Sequence, residues 1–364
     1  MIPCLSYFTS DKKLLKVPIR LEAAVCNPKN PLSKEQTEKL AIMSAYSQLN
    51  DSYRRLAGHQ AKDFFKRCTF RGYDCSYSNF SQFTNFMYGN CYSFNVLPLL
   101  EDGEDLLIAY STGRLSGLRL EMDVELEDYV GDSVMPIGVR LVIHDPHVLP
   151  DPTYYGMDIP PFKETTVTVK QVSRKRLQAP YQDKCKENVM STGEIGYTQE
   201  MCMTKCAQEE NMRQCNCVDP TLDPFIKDDA ILCDLMNRTH VCCLDDVHNN
   251  LRTKADLCDC PLPCETTTYD LMVSSTILAT RNTSKDNLYP YQGSLLRLEI
   301  YFETLYQLVY QQVPKYEIAE LYSQLGGQLS LWLGISLVSF FESVELLVMV
   351  FQFYWQRCII SNSN

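Results

Sequence analysis

Cysteine spacing limits the folds open to this chain more than any other property. Eleven of its 17 cysteines fall between Cys185 and Cys264. Such density predicts either a disulfide framework of the secretory pathway or zinc sites. Zinc fits less well, because the CNC run at 215–217 and the CDCPLPC run at 258–264 lack paired C-x-x-C spacing, and because His240 and His248 lack ligand spacing. We therefore expect an extracellular, disulfide-stapled domain without a metal or cofactor.

Four Asn-x-Ser/Thr sequons favour the same placement. Such tripeptides accept N-linked glycans in secreted proteins, although each one arises often by chance. They predict glycosylation sites at Asn50, Asn79, Asn237 and Asn282.

Charge narrows the choice of partner. With a formal charge of -11 and a pI near 5.0, the chain would be repelled by nucleic acid and by an anionic membrane surface, so cations or a basic extracellular ligand fit better. An enzyme is not expected, because the sequence shows no nucleophile-base pair, metal motif or phosphate loop, and its five histidines form no catalytic pattern.

One apolar segment near the C-terminus is long enough to cross a membrane. Residues 329–355 read LSLWLGISLVSFFESVELLVMVFQFYW, which as one continuous helix would be ~40 Å long. The alternative, a buried core helix, would be unusual at this length with so few polar positions. We therefore expect one C-terminal transmembrane helix.

The first 20 residues, MIPCLSYFTSDKKLLKVPIR, show neither the apolar stretch of a signal peptide nor a membrane span. A membrane helix near the C-terminus cannot by itself carry the residues before it across the bilayer. If those residues are extracellular, as the cysteines and sequons indicate, we expect a first membrane helix to precede this sequence in the natural protein.

Between these ends the pattern is of mixed α and β structure. Alternating apolar and polar residues predict strands over 117–129, 138–146 and 165–173. Helical spacing predicts a helix over 33–58 that stops at Gly58, and another over 196–211 with Cys202 and Cys206 on one face. The predicted fold class is α+β.

Several motifs in this frame are more specific. They are CTFRGYDC (68–75), YGNCYSFN (88–95), GLRLEMDVE (117–125), GVRLVIHDP (138–146), CDCPLPC (258–264) and YEIAELYSQLGGQLSLWLGISLVSFFE (316–342). Together they resemble the epithelial sodium channel/degenerin/acid-sensing ion channel family, and the resemblance spans residues 17–355.

The resemblance implies a hand-shaped extracellular domain with a palm sheet, a finger and a helical thumb, in a trimer whose subunits each have two membrane helices. Residues 17–315 would form the extracellular domain, with its cysteine-rich thumb at about 181–270. Residues 1–16 would be an atypical N-terminal segment. Residues 316–357 would form the pre-pore segment and transmembrane pore helix, and residues 358–364 a short cytoplasmic tail.

The resemblance also implies disulfide partners. Seven bridges would stiffen the thumb and the domain around it. The pairs would be Cys26 with Cys91, Cys68 with Cys75, Cys185 with Cys264, Cys202 with Cys260, Cys206 with Cys258, Cys217 with Cys233, and Cys215 with either Cys242 or Cys243.

Within the membrane span, the family's G-x-S selectivity filter falls on Gly334, Ile335 and Ser336. Small residues there allow helices to approach closely and to present backbone carbonyls and a hydroxyl to a cation, although they are also common as simple packing residues. Glu342 matches the family's glutamate. Glu345, three residues later on a neighbouring position of the same face, would extend an acidic ring around the pore, or would snorkel to the inner interface.

Three further positions follow from the resemblance alone. Ser330 matches the position that binds the blocker amiloride, and Ser323 matches the degenerin position, where bulk is expected to hold the pore open. Tyr181, before Cys185, resembles the wrist aromatic that couples thumb to membrane helix, and a core tyrosine is the alternative.

The expected function is that of a subunit in a trimeric, amiloride-sensitive, sodium-selective channel of the plasma membrane, formed with copies of itself or with other family subunits. Two alternatives stand beside it: a single-pass receptor ectodomain, and a truncated, non-conducting chain that assembles with full subunits. The gating stimulus is open between acid, an extracellular peptide, and force. Acid sensing would require close carboxylates whose pKa values rise together, and the EDGED run at 101–105 is as well explained as a solvated loop.

Overall fold

The computed structural model describes residues 2–5, 26, 33–97, 105–128, 137–149, 151–187, 195–222, 230–254, 257–282, 287–290, 293–334 and 336–361. The chain divides into two compact units, Met1–Gln311 and Gln312–Asn364. The first contains the described strands and the cysteines of the described disulfides, and the second contains two helices.

A seven-stranded sheet forms the larger layer of the first unit. Its strands are β2 (Phe65–Phe70), β3 (Tyr73–Cys75), β6 (Leu118–Asp123), β9 (Lys163–Lys175), β10 (Glu265–Ile277), β13 (Leu295–Phe302) and β14 (Leu308–Gln311). The order is β10-β9-β13-β6-β2-β3, with β14 also beside β9. In β6, Leu118, Leu120 and Met122 are buried while the residues between them are more exposed, which is the alternation that predicts a strand.

A second, five-stranded sheet has the order β4-β5-β1-β7-β8. Its strands are β1 (Ile2–Leu5), β4 (Ser81–Asn85), β5 (Gly89–Ser93), β7 (Val139–Val142) and β8 (Met157–Ile159), and a separate hairpin pairs β11 (Ala279–Asn282) with β12 (Asn287–Pro290). All five residues of β5 are buried. The strands predicted over 117–129, 138–146 and 165–173 are therefore confirmed as β6, β7 and β9, but β6 ends at Asp123 and β7 at Val142, short of the predicted bounds.

Aromatic side chains fill the core shared by the two sheets. The Phe65 and Phe80 rings stack with centroids 4.2 Å apart, and Tyr92 of β5 lies edge-on to Phe65. The buried Tyr92 hydroxyl donates a hydrogen bond of 2.6 Å to the His59 carbonyl. Burying large aromatic rings in this way dominates core energetics, and the hydroxyl finds a partner because an unpaired one would be costly to bury.

The helix predicted over 33–58 is interrupted. It forms α1 (Lys34–Ser47) and α2 (Asp51–Ala57), followed by the short α3 (Ala61–Phe64). The interruption has a local cause: Asn50 takes an extended conformation and its side chain accepts a hydrogen bond from the Tyr53 backbone N–H, so it caps a new helix. Gly58 ends α2, as predicted.

Two disulfide-linked helices form the region predicted as the thumb. They are α4 (Gln199–Cys215) and α5 (Arg238–Thr253). Cys215 at the end of α4 is bonded to Cys243 in the first half of α5, while Cys206 is bonded to Cys258 beyond the end of α5. The two helices must therefore run antiparallel, with the Cys215–Cys243 bridge between them and the Cys206–Cys258 bridge from α4 to the residues that follow α5.

Five further described disulfides join Cys68 to Cys75, Cys185 to Cys264, Cys202 to Cys260, Cys217 to Cys233 and Cys26 to Cys242. The first four of these, with Cys206–Cys258, are the pairs that the resemblance implies, and Cys215 takes Cys243. The cysteines of both candidate zinc runs are all bridged, which leaves no thiolates for a metal.

The pairing of Cys26 with Cys91 is wrong. Cys26 is bonded to Cys242, with their Cα atoms 5.1 Å apart. Cys91 is fully buried in β5, where it lies opposite Cys4 in the strand register, and it is disulfide-bonded too. Successive residues of a helix point about 100° apart, so Cys243 can face α4 while Cys242 faces another direction and meets Cys26.

The second unit contains α6 (Ile318–Leu333) and α7 (Leu337–Ser361). Within α7, the segment Val338–Trp355 is long and apolar enough to span a membrane, and none of it is buried in the chain. The single helix predicted over 329–355 is therefore divided near Gly334. With the mixed sheets and helices of the first unit, this segment confirms the predicted fold class: an α+β, disulfide-rich domain followed by one apolar C-terminal helix.

Candidate functional site

The candidate pore segment is built around the end of α6. Gly334 has a left-handed backbone, with φ of 63°, and its N–H donates to the Ser330 carbonyl at 3.0 Å. This conformation is unfavourable for residues with a Cβ, so glycine ends the helix here. The C-terminal end of a helix carries a partial negative charge and carbonyls without partners further along the helix, which favours a cation nearby.

Ser336 precedes α7 on the other side of the break and caps its first turn. Its hydroxyl accepts a hydrogen bond of 3.1 Å from the Ser339 N–H, and its carbonyl accepts one of 3.1 Å from the Phe340 N–H. Gly334 follows the C-terminal end of α6, and Ser336 precedes the N-terminal end of α7. The backbone carbonyls at the end of α6 and the Ser336 hydroxyl are therefore close in sequence at the break. Ile335, the middle residue of the predicted filter, lies outside the described residues.

The two glutamates lie within the candidate membrane span. At ~1.5 Å rise per residue, Glu342 is ~6 Å from the start of the segment Val338–Trp355, and Glu345 is ~10 Å from its start and ~15 Å from its end. Glu345 is therefore near the middle of the span, which argues against simple snorkelling to the inner interface. Both side chains are exposed in the single chain.

Serine hydroxyls follow the break along α7, up to the residue after Glu342. Ser336 Oγ and Ser339 Oγ are 3.0 Å apart, and Ser343 Oγ donates to the Ser339 carbonyl at 2.7 Å. Sequence reasoning missed Ser339 and Ser343. Their spacing of three and four residues, which places side chains on one helix face, was the signal that would have found them.

Two positions on α6 precede the break. Ser330 lies in its last turn and Ser323 is seven residues earlier, so both lie on nearly the same face, ~10 Å apart along the axis. Both are exposed. Trp332 Nε1 donates to Gln328 Oε1 at 3.1 Å, and at 100° per residue both residues lie on the side of α6 opposite Ser330. Gln328 is a third residue that sequence reasoning missed, although its i,i+4 spacing to Trp332 is visible.

Tyr181 lies in a turn before Cys185 in the first unit. Its side chain is 42% exposed, and its N–H donates to the Gln178 carbonyl at 3.0 Å. The alternative interpretation of Tyr181 as a core tyrosine is therefore wrong.

Two carboxyl groups near α4 have raised pKa values. Burial raises the pKa of Asp151 and that of Asp219, while hydrogen bonds from Thr153 and Thr221 oppose the shift. In the same region Tyr155 Oη donates to Glu200 Oε1 at 2.5 Å, and burial raises the pKa of Tyr155 to about 12. Of the EDGED run, residues 101–104 lie outside the described part of the chain.

The described sequon asparagines are surface caps. Asn50, Asn79 and Asn237 are exposed, and each side-chain oxygen accepts a backbone hydrogen bond, from the N–H groups of Tyr53, Ser76 and Thr239 respectively. Asn282 ends β11, and its side chain lies outside the described part.

Comparison with known proteins identifies the family of this chain. The sequence profile of the family described as amiloride-sensitive sodium channel matches residues 7–346. The chain is 25% identical to the FMRFamide-activated amiloride-sensitive sodium channel of Cornu aspersum, over 85% of this chain and 64% of that protein. It is 25% identical to the epithelial sodium channel subunit beta of Xenopus laevis, over 85% of this chain and 50% of that protein.

Acid-sensing ion channel 4 of Mus musculus is 26% identical, over 82% of this chain and 56% of that protein. The chain thus spans about half to two thirds of the length of these relatives. Since the profile covers nearly the whole chain, and the relatives are named as channels of the same kind, this chain belongs to the amiloride-sensitive sodium channel family of ion channels.

Proposed function

We propose that the chain is one subunit of a trimeric, amiloride-sensitive, sodium-selective cation channel of the plasma membrane. The Met1–Gln311 unit is extracellular, and α7 lines a pore through which Na⁺ passes down its gradient. The observation that carries the proposal is the helix break at Gly334 and Ser336, followed by two glutamates within the apolar span.

The energetic cost of placing Glu342 and Glu345 in lipid favours assembly of several copies of α7. An ionised carboxylate at the centre of a membrane helix costs ~2.5–3.5 kcal/mol on insertion scales, so it faces water or a partner. Three copies of α7 around an axis surround water with rings of Glu342 and Glu345. Such rings concentrate cations and repel anions. The partners are copies of this chain or other family subunits, and one relative is itself named a subunit.

Ion selectivity arises at the helix break, which precedes Glu342 and Glu345 in the chain. In the assembled channel, the backbone around Gly334 and Ile335 and the Ser336 hydroxyl replace part of the hydration shell of Na⁺. Amiloride binds at Ser330, one turn before the break, and bulk at Ser323 holds the pore open. Both serines lie on nearly one face of α6, which supports the proposal that this face lines the conduction path.

Gating comes from the extracellular unit. One relative is named as FMRFamide-activated, and another is named as acid-sensing. The disulfides along α4 and α5 make this region stiff enough to pass movement to a gate. Extracellular placement also agrees with the disulfides themselves and with the exposed sequon asparagines.

The test is an electrophysiological one. The full chain is expressed in cells under voltage clamp, alone and together with a family subunit, and sodium current is recorded with and without amiloride. We expect an amiloride-blocked current that Glu342→Gln reduces. Glu345→Gln is the matched variant three residues away, and its effect tells whether the second glutamate belongs to the ring.

Ion preference that is unchanged after Ser336→Ala and Glu342→Gln are combined, in channels that contain this chain, would contradict the pore assignment. A chain that carries no current alone but changes the amplitude of a partner's current would instead be a regulatory subunit. A chain that reaches the surface and does neither would fit the receptor alternative.

A further inference from the structure

A groove of about 600 Å³ opens between the α1–α2 junction and the segment 230–234. Small-molecule sites typically measure ~300–1,000 Å³, so the groove has room for sugar rings. Its lining combines polar Ser47, Gln48, Ser52 and Asp234 with apolar Leu49 and Leu232. A pyranose has the same mixture, with hydroxyls at its edge and C–H groups on its faces.

A glycosylation sequon forms one wall of this groove. Asn50, Asp51 and Ser52 all line it. The Asn50 side chain is exposed, and its Oδ1 is held by the hydrogen bond of 2.9 Å from the Tyr53 N–H. Because the cap uses Oδ1, the amide nitrogen Nδ2 is left for a substituent. Nδ2 is also the atom to which an N-linked glycan is attached.

We propose that Asn50 carries an N-linked glycan whose first sugars occupy this groove and fasten the segment 230–234 to the α1–α2 junction. In the transfer, Nδ2 bonds to the anomeric carbon of a lipid-diphosphate-linked oligosaccharide. That carbon's bond to the diphosphate oxygen breaks, the lipid diphosphate leaves, and Nδ2 gives up one proton. The inference rests on the extracellular placement proposed above.

The two sides of the groove are already joined by direct contacts. Ser44 Oγ donates to Asp234 Oδ1 at 2.9 Å, and Leu232 packs in the same apolar cluster as Leu49. A sugar seated above them adds contacts to both sides at once. The segment 230–234 includes Cys233, whose disulfide to Cys217 connects it to the end of α4, so the glycan would brace the disulfide-linked helices against the residues of α1 and α2.

The test compares Ser52→Ala, which removes the sequon, with Ser52→Thr, which keeps it. The full chain is purified from a secretory eukaryotic cell, the glycan at Asn50 is located by mass spectrometry of intact glycopeptides, and amide hydrogen exchange is followed over 230–234. We expect several-fold faster exchange there in Ser52→Ala than in Ser52→Thr. Asn50→Asp, which retains a capping oxygen but no glycan, should match Ser52→Ala.

Ser81→Ala, which removes the sequon at Asn79, is the control and should leave exchange over 230–234 unchanged. Unmodified Asn50 in the wild-type protein, or equal exchange in Ser52→Ala and Ser52→Thr, would overturn the inference. Neither readout depends on ion current, so a failure here is distinct from a failure of the channel proposal.

Discussion

At the scale of single residues, one backbone angle divides the apolar C-terminal segment. Gly334 has φ of 63°, and a Cβ added there would meet nothing within 4 Å. The obstacle to substitution is therefore conformational and not steric, and a left-handed residue with a Cβ costs ~1–2 kcal/mol. Gly326, inside α6, also faces open space but has no left-handed angle.

The two glycines Gly334 and Gly326 give a matched prediction. Gly334→Ala should favour a continuous helix by ~1–2 kcal/mol, distort the break and lower sodium selectivity, measured as a shift of the reversal potential under mixed sodium and potassium. Gly326→Ala should preserve selectivity, since alanine is favoured over glycine inside a helix by ~1 kcal/mol. Equal reversal potentials in wild type and Gly334→Ala would show that the break does not select ions.

The raised pKa values of Asp151 and Asp219 give a pH prediction. Because burial raises each pKa in the folded state, the folded protein holds protons at a pH where the unfolded chain has released them. The contribution of Asp151 and Asp219 to stability should therefore rise as pH falls from neutral through their raised pKa values, and then level off below the unfolded values.

Asp219→Asn should remove part of that dependence, so its melting temperature should equal or exceed that of the wild type at pH 7 and approach it at pH 4. Glu210→Gln is the control of opposite sign, because the hydrogen bond from Arg213 lowers the pKa of Glu210. Melting curves for both variants across pH 4 to 7 test this. Parallel curves for wild type and Asp219→Asn would contradict the prediction.

At the scale of elements, alternation and helical spacing located β6, β7, β9, α4 and the α1–α2 region from the sequence alone. These two patterns did not predict the points at which the long predicted helices are interrupted. The helix over 33–58 stops because the Asn50 side chain caps a new helix, and the span over 329–355 stops because one glycine turns left-handed. Periodicity averages over many residues, so a cap or a single φ angle inside a periodic stretch leaves it almost unchanged.

The disulfide pairs, too, could be predicted only in part from the sequence. The five pairs other than those of Cys26 and Cys215 could be carried over from the family motifs. The choice between Cys242 and Cys243, however, depends on which direction each points from α5, and the sequence order of two adjacent residues does not contain that information. The predicted Cys26–Cys91 pair failed for the related reason that Cys242 offered a partner on a second face of α5.

We expect peptide mapping of the non-reduced protein to find Cys26 linked to Cys242. The bridge joins residues 216 apart in sequence, so removing it with Cys26→Ser and Cys242→Ser should lower the free energy of unfolding by ~2–5 kcal/mol. The Cys68–Cys75 bridge joins residues only 7 apart, so its double serine variant should lose less. A Cys26–Cys91 peptide would contradict the structure.

At the scale of the whole molecule, the exposed apolar surface of α7 requires either lipid or other helices. Phe341, Leu347 and Phe351 are each more than 60% exposed in the single chain. A lipid anchor and a pore-lining helix satisfy this surface differently. The anchor turns every face to hydrocarbon, whereas the pore helix turns the face of Glu342 to water and the others to lipid and neighbouring helices.

Cysteine labelling separates the two arrangements. In a Cys358→Ser background, single cysteines from 338 to 346 are exposed to a charged, membrane-impermeant thiol reagent in assembled complexes. At 100° per residue, positions 338, 342 and 346 share the face of Glu342 and should react fast, whereas 340 and 344 face away and should react slowly. A reagent that reaches no position, or all positions equally, would mean that α7 is an anchor and that no water-filled pathway runs along it.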